Sequence, residues 1–212
     1  APVPGGGPRP VVSLDMPIDS LGLQCNPSWA LVHEIHPDVP PVPNEMLRRG
    51  WALVITDHQG PRMAYAAGPL AGHAVLDGLR AARSFAPAGL GGSPVVLNGY
   101  SGGAIASGWA AQLQPAYAPE LTGALVGVVA GGTPSDPDLL FDTMDGQIGS
   151  GLFRSAIIGI SRAYDELHPL YNHYGVALAA GPLRDLCAKQ GEATGLVQAP
   201  IGWLAVTPEL RA

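Results

Sequence analysis

The sequence predicts an α/β fold built on a mostly parallel sheet. Three observations carry that prediction. Short apolar runs alternate with segments of helical period between residues 10 and 132. The run at 93–99 passes through a glycine cluster straight into a small-residue helix. After residue 133 the strand-like runs stop, and several short helical pieces broken by Gly and Pro take over.

The elements read as follows. "PVVSLD" (10–15) is a short apolar strand. "EMLRRG" (45–50) is a short helix stopped by Gly50, and "WALVITD" (51–57) is a β-branched strand followed by a loop. In residues 70–85, Leu70, Ala74, Leu76, Leu79 and Ala82 recur at helical spacing, with Arg80 and Arg83 left for solvent. "SPVVLNG" (93–99) is a buried-type strand, 103–117 a helix and 121–132 a further strand. Strands alternating with helices at this pace suit a parallel sheet covered on both faces. The expected division is 1–133 as the core, 134–200 as a helical insert and 201–212 as a return towards the core.

Composition narrows the function. Of 212 residues, 47% are hydrophobic and only 13% charged, enough for a large core under a charge-poor surface. The formal net charge of −6, with Lys and Arg scattered, argues against nucleic acid as a partner. No apolar run reaches the roughly 18 residues of a membrane helix. The opening "APVPGGGPRP" has no charged and apolar leader; it reads as a mature start left by cleavage at a small residue, or as an artificial boundary. No spacing of residues suggests a metal site, and no cofactor is expected. The two cysteines, Cys25 and Cys187, leave two alternatives: buried thiols, or one disulfide made in an oxidising compartment.

The chemistry is concentrated at Gly99-Tyr100-Ser101-Gly102-Gly103. Strand, Gly-x-Ser-x-Gly and helix in that order describe a nucleophile elbow. The turn strains the backbone and lifts the hydroxyl of Ser101 clear of the sheet edge. The following helix aims its N-terminal N–H groups at the place where an oxyanion develops. A serine also needs a base and an acid, which in this architecture follow it in sequence. His168 and His173, with Asp165 and Glu166 nearby, are the downstream candidates, but no convincing strand precedes them. They read as a polar edge of the insert. His58, after the strand ending at Asp57, and Tyr100 are expected to line the site. His73, Met63 and Tyr65 read as packing residues, as does the apolar stretch "GLFRSAIIGI" (151–160).

Several longer stretches extend this motif: "SLGLQCNPSWAL", "RRGWALVITDHQGP", "AYAAGPLAGHAVLDGLRAAR", "NGYSGGAIASGWAAQLQPAYAPEL" and "GVVAGGTPSD". Together they resemble the secretory lipase family over most of residues 10 to 187. The resemblance implies an α/β-hydrolase core with an inserted helical cap, no cofactor, secretion, and action on carboxylic esters, including acylglycerols. It implies Ser101 as nucleophile, the N–H of Gly102 as one oxyanion donor and that of Asp19 as the second. It implies a Cys25–Cys187 disulfide between core and cap. It also implies that the catalytic Asp and His and the last core strands are absent from these 212 residues, so that the sequence is a fragment or is completed by another chain. A shortened enzyme with a recruited base is the remaining alternative. The partners expected are an ester or lipid substrate and a lipid interface. Two other functions remain open: a non-catalytic lipid-binding or interaction protein, and an acyltransferase using the same serine.

Overall fold

A computed structural model describes residues 8–33 and 41–205. In chain order the regular elements are β1 (Val11–Asp15), α1 (Pro27–Val32), α2 (Pro41–Arg48), β2 (Ala52–Val54), α3 (Gly68–Ser84), β3 (Val95–Tyr100), α4 (Gly102–Tyr117) and β4 (Leu125–Gly131), followed by α5 (Pro137–Met144), α6 (Ser150–Ala163), α7 (His173–Ala180) and α8 (Ala188–Ala193). The predicted strand at 51–57 is shorter than expected: only Ala52–Val54 pair, and residues 55–57 carry no regular structure.

Two compact units emerge. Among the described residues the first comprises 8–17, 30–33, 41–58 and 68–133; the second comprises 18–29, 59–67 and 134–205. Both are therefore discontinuous, and two short loops expected in the core pack with the insert region instead. Residues 201–204 form a 3-10 turn in the second unit, whereas 206–212 lie outside the described residues, as do 1–7.

The first unit holds a four-stranded parallel sheet in the order β2-β1-β3-β4. Chain steps from β2 to β3 and from β3 to β4 run towards the same edge. Right-handed crossovers then place α3 and α4 on one face. Val11, Val95 and Leu97 of the sheet meet Val75, Leu76 and Leu79 of α3 and Ala106 and Ala110 of α4 in one core. The two helices approach closely because Gly72 carries no side chain: a Cβ there would lie 2.7 Å from the Trp109 backbone. His73 packs edge-on against Tyr117, with ring centroids 4.2 Å apart, as its helical position predicted. β1 is fully buried, but the edge strand β4 leaves Val126, Val128 and Val129 at 60%, 41% and 56% exposure.

The second unit is made of short helices and 3-10 turns, whose ends leave many carbonyls without helical partners. Two arginines of α6 collect them. Arg154, which is buried, donates to the carbonyls of Thr194 and Ala199 at 2.8 and 2.9 Å. Arg162 donates to the carbonyls of Leu21, Arg62, Met63 and Arg184. Ile158 of α6 packs with Leu21 and with Tyr65, so α6 is a core helix of this unit. Met63 and Tyr65 are buried there too. Cys25 and Cys187 form the disulfide, with Cα atoms 5.5 Å apart. Both cysteines belong to the second unit. The bridge therefore staples that unit internally, and the expected core-to-cap link is corrected: the segment carrying Cys25 leaves β1 and packs with the residues after 134. Among the described residues no helix is long and apolar enough to cross a membrane.

The α3–α4 contact gives a paired test. Gly72→Leu forces the two backbones apart and is expected to lower unfolding stability by about 1–3 kcal/mol. Gly108→Ala on the same helix pair meets nothing within 4 Å. It is expected to raise stability by about 0.5–1 kcal/mol through helix propensity. Urea unfolding of both variants checks the two signs.

Candidate active site

The site is built where β3 ends. Apolar β-branched residues carry the strand to Asn98, and Gly99 and Tyr100 complete it. Ser101 then turns the chain in one residue, with φ 54° and ψ −121°, a region that residues with side chains rarely occupy. Its neighbours hold it there. The Ser101 N–H donates to the carbonyl of Gly131 on β4 at 2.9 Å. Its carbonyl accepts from the N–H groups of Ala104 and Ile105 at 2.9 and 3.2 Å, which starts α4.

The flanking glycines have a steric cause. A Cβ on Gly99 would sit 2.2 Å from the carbonyl oxygen of Gly103, and a Cβ on Gly103 would sit 1.9 Å from that of Asp15. Any side chain at either place pushes α4 off the sheet. Ser101 is therefore presented at the head of a helix whose first N–H groups have no intrahelical partner. Gly102 is the first residue of that helix. Tyr100 stands beside the serine at 66% exposure, over the glycine pair Gly131–Gly132.

His58 is not a surface loop residue. It is 3% exposed, and its Nε2 lies 2.8 Å from the Met16 carbonyl. A carbonyl only accepts, so Nε2 carries the proton and Nδ1 holds the lone pair. Nδ1 is buried without a partner among the described residues. Burial holds the imidazole pKa below its ordinary value, so the ring is neutral. His58 thus ties the loop after β2 to the residue that follows β1.

One group went unseen in the sequence. Asp15, the last residue of β1, is 1% exposed. Its Oδ1 accepts from the Ser13 hydroxyl at 2.8 Å and its Oδ2 from the Ser107 hydroxyl of α4 at 2.5 Å. Burial pushes this carboxyl up to about 7, against the lowering effect of those two hydrogen bonds. The available signal was an acid closing an otherwise apolar strand.

Asp19 lies in the second unit, with φ 46°. Its carboxyl is pushed up to about 6, first by burial and then by the charge of Glu192. The segment is fixed locally: the Gln59 side chain bonds both the N–H and the carbonyl of Ser20, and Leu21 N–H donates to Leu186. His168 lies in a 3-10 turn and His173 opens α7, both in the second unit. That unit also carries an open, mostly apolar pocket of about 210 Å³, with Leu21, Ile158, Leu178 and Trp203 among its walls. No group of three or more His, Cys, Asp or Glu among the described residues is arranged to hold a metal ion.

Comparison with known proteins follows the same lines. The model of the secretory lipase family matches residues 42–194. The secreted triacylglycerol lipase LIP5 of Malassezia furfur is 41% identical over 165 residues, covering 74% of this chain and 43% of its own length. Lipase 2 of Candida albicans is 36% identical over 173 residues, covering 76% of this chain and 36% of its own. The crystal structure of Candida antarctica lipase A superposes with a TM-score of 0.80 at 28% identity, covering 98% of this chain and 51% of that one. The chain thus spans about half the length of lipase A or less than half that of these relatives.

Asp15 makes a prediction about stability and pH. Its carboxyl binds a proton in the native state up to about pH 7, while the unfolded chain releases it near 3.8. The native state therefore binds more protons in that window, and stability falls as pH rises through it. Asp15→Asn removes this slope. The loss between pH 4.5 and 8 is expected to be smaller in the variant than in the wild type by a few kcal/mol, on the order of 1.4 kcal/mol per pKa unit. His58 contributes with the opposite sign below pH 6.5 in both proteins, so it cancels in the comparison.

Proposed function

The chain belongs to the secretory lipase family, and from that premise we propose that it is a secreted serine carboxylic-ester hydrolase whose nucleophile is Ser101. The observation that carries this reading is the conformation of Ser101, held at φ 54° between β3 and the first turn of α4. A structural turn has no need of that strain at a hydroxyl-bearing residue.

In the proposed reaction the Ser101 hydroxyl attacks the ester carbonyl and gives up its proton to a base. The tetrahedral oxyanion accepts a hydrogen bond from the N–H of Gly102, at the positive end of α4. The second donor is the N–H of Asp19, four residues beyond β1. Collapse expels the alcohol and leaves an acyl-serine, which water then cleaves by the same steps. Tyr100 borders the entry of the ester. The loop fixed by the His58–Met16 bond carries the chain towards Asp19. The names of the relatives, triacylglycerol lipases among them, favour acylglycerols as the substrate class.

The base and its acid are proposed to come from polypeptide other than the described residues. His58 is buried and its N–H is held by the Met16 carbonyl rather than by an orienting acid, and His168 and His173 sit on short turns and helices of the second unit. Such supports are poor for a base that must stay within hydrogen-bond reach of the serine. The exposed valines of β4 offer a place where further sheet would be buried. The disulfide supports an oxidising, extracellular setting.

A fluorophosphonate probe and a p-nitrophenyl ester test the reading together. Completed by the polypeptide that supplies the base, the protein is expected to be labelled at Ser101, and Ser101→Ala to lose at least about a thousandfold in kcat/KM. Absence of both labelling and hydrolysis favours a binding protein on the same fold, and activity unchanged in Ser101→Ala overturns the assignment of Ser101 as nucleophile. Product transfer to an added alcohol at the expense of hydrolysis identifies an acyltransferase.

A further inference from the structure

The Asp15–Ser13–Ser107 cluster has no role in the reaction just described, yet it lies directly beneath the elbow. We infer that Asp15 is a positioning residue for Ser101: through its bond to Ser107 it locks the head of α4 against the end of β1 and so fixes where the nucleophile and the Gly102 N–H stand. This inference rests on the ester-hydrolase reading of Ser101.

The geometry supports it from three sides. Asp15 pairs in register with Gly99, two residues before the serine. Its backbone carbonyl faces Gly103 so closely that no side chain fits between them. Its carboxyl reaches about one turn further along α4 to Ser107, whose hydroxyl also borders Gly99. Asp15 therefore touches the strand leading into the turn and the helix leading out of it. A rigid helix transmits any shift at Ser107 to its own first turn. Displacement of a reacting atom by about 1 Å costs around a hundredfold in rate, so a small slackening here has a large effect on turnover.

Ser13 supplies the control. It donates to the same carboxylate as Ser107, is equally buried, and belongs to β1 rather than to α4. A cluster that serves only folding treats the two hydroxyls alike. A cluster that positions the elbow does not.

The test compares Ser107→Ala and Ser13→Ala in the protein completed by the polypeptide that supplies the base, reading kcat and KM on a p-nitrophenyl ester, Tm, and amide hydrogen exchange of the peptide spanning Ser101–Ile105. Ser107→Ala is expected to lower kcat about 10- to 100-fold with KM within about twofold, and to speed exchange in that peptide. Ser13→Ala is expected to lower Tm by a similar amount, to change kcat by no more than about threefold and to leave that exchange as in the wild type. Equal loss of kcat in both variants, or wild-type kcat in Ser107→Ala, overturns the inference. If Ser107→Ala fails to fold, Ser107→Cys keeps the volume and weakens the donor, and a smaller loss of the same kind is expected. If the wild-type protein hydrolyses no ester, the functional reading fails by itself. The exchange data then decide: acceleration confined to Ser107→Ala supports the lock, and unchanged exchange overturns it.

Discussion

The first turn of α4 lies against the C-terminal end of β1 with no side chain between them. Gly103 faces the carbonyl of Asp15, Gly99 faces that of Gly103, and Ser101 has to make its turn in the space that remains. A serine in such a conformation is strained by about 1–3 kcal/mol. Each hydrogen bond that opposes this strain is worth about 1 kcal/mol. The Gly131 bond on one side and the Asp15–Ser107 bond on the other oppose it. Neither exceeds the strain by much, so the elbow depends on both.

The second unit is held by different means. Its helices are short, and 3-10 turns between them leave peptide carbonyls that cannot all reach water. Arg154 and Arg162 gather those carbonyls from distant parts of the sequence. An arginine suits this task because its fork offers five donors in fixed directions. The Cys25–Cys187 bridge spans 162 residues of chain and closes the loop between the first and last thirds of the unit. In the loop-entropy view a closure of this length contributes about 4–5 kcal/mol.

Much of the first unit was legible because its cues are local. The β-branched runs around Val11 and Val95, the helical spacing of Val75, Leu76 and Leu79, and three glycines around one serine each announce an element without reference to anything distant. What escaped depends on partners far along the chain. Asp15 reads as an ordinary strand end until Ser107, 92 residues later, is seen to hold it. Residues 59–67 read as a core loop until the Gln59 amide is seen to bond Ser20. The pairing of the cysteines came from resemblance, and nothing local said that both would fall in one unit. His58 shows the middle case. Its place after a strand was visible, but its burial and its bond to Met16 were not.

The account stands on the claim that the head of α4 faces the developing charge on a substrate held by Ser101. A crystal structure of the protein inhibited by a phosphonate ester tests this most directly. The account predicts a covalent bond from Ser101 Oγ to phosphorus and a phosphonyl oxygen about 2.7–3.1 Å from the Gly102 nitrogen. An adduct whose oxygen points away from α4 into solvent, or a phosphonate attached to another residue, contradicts it.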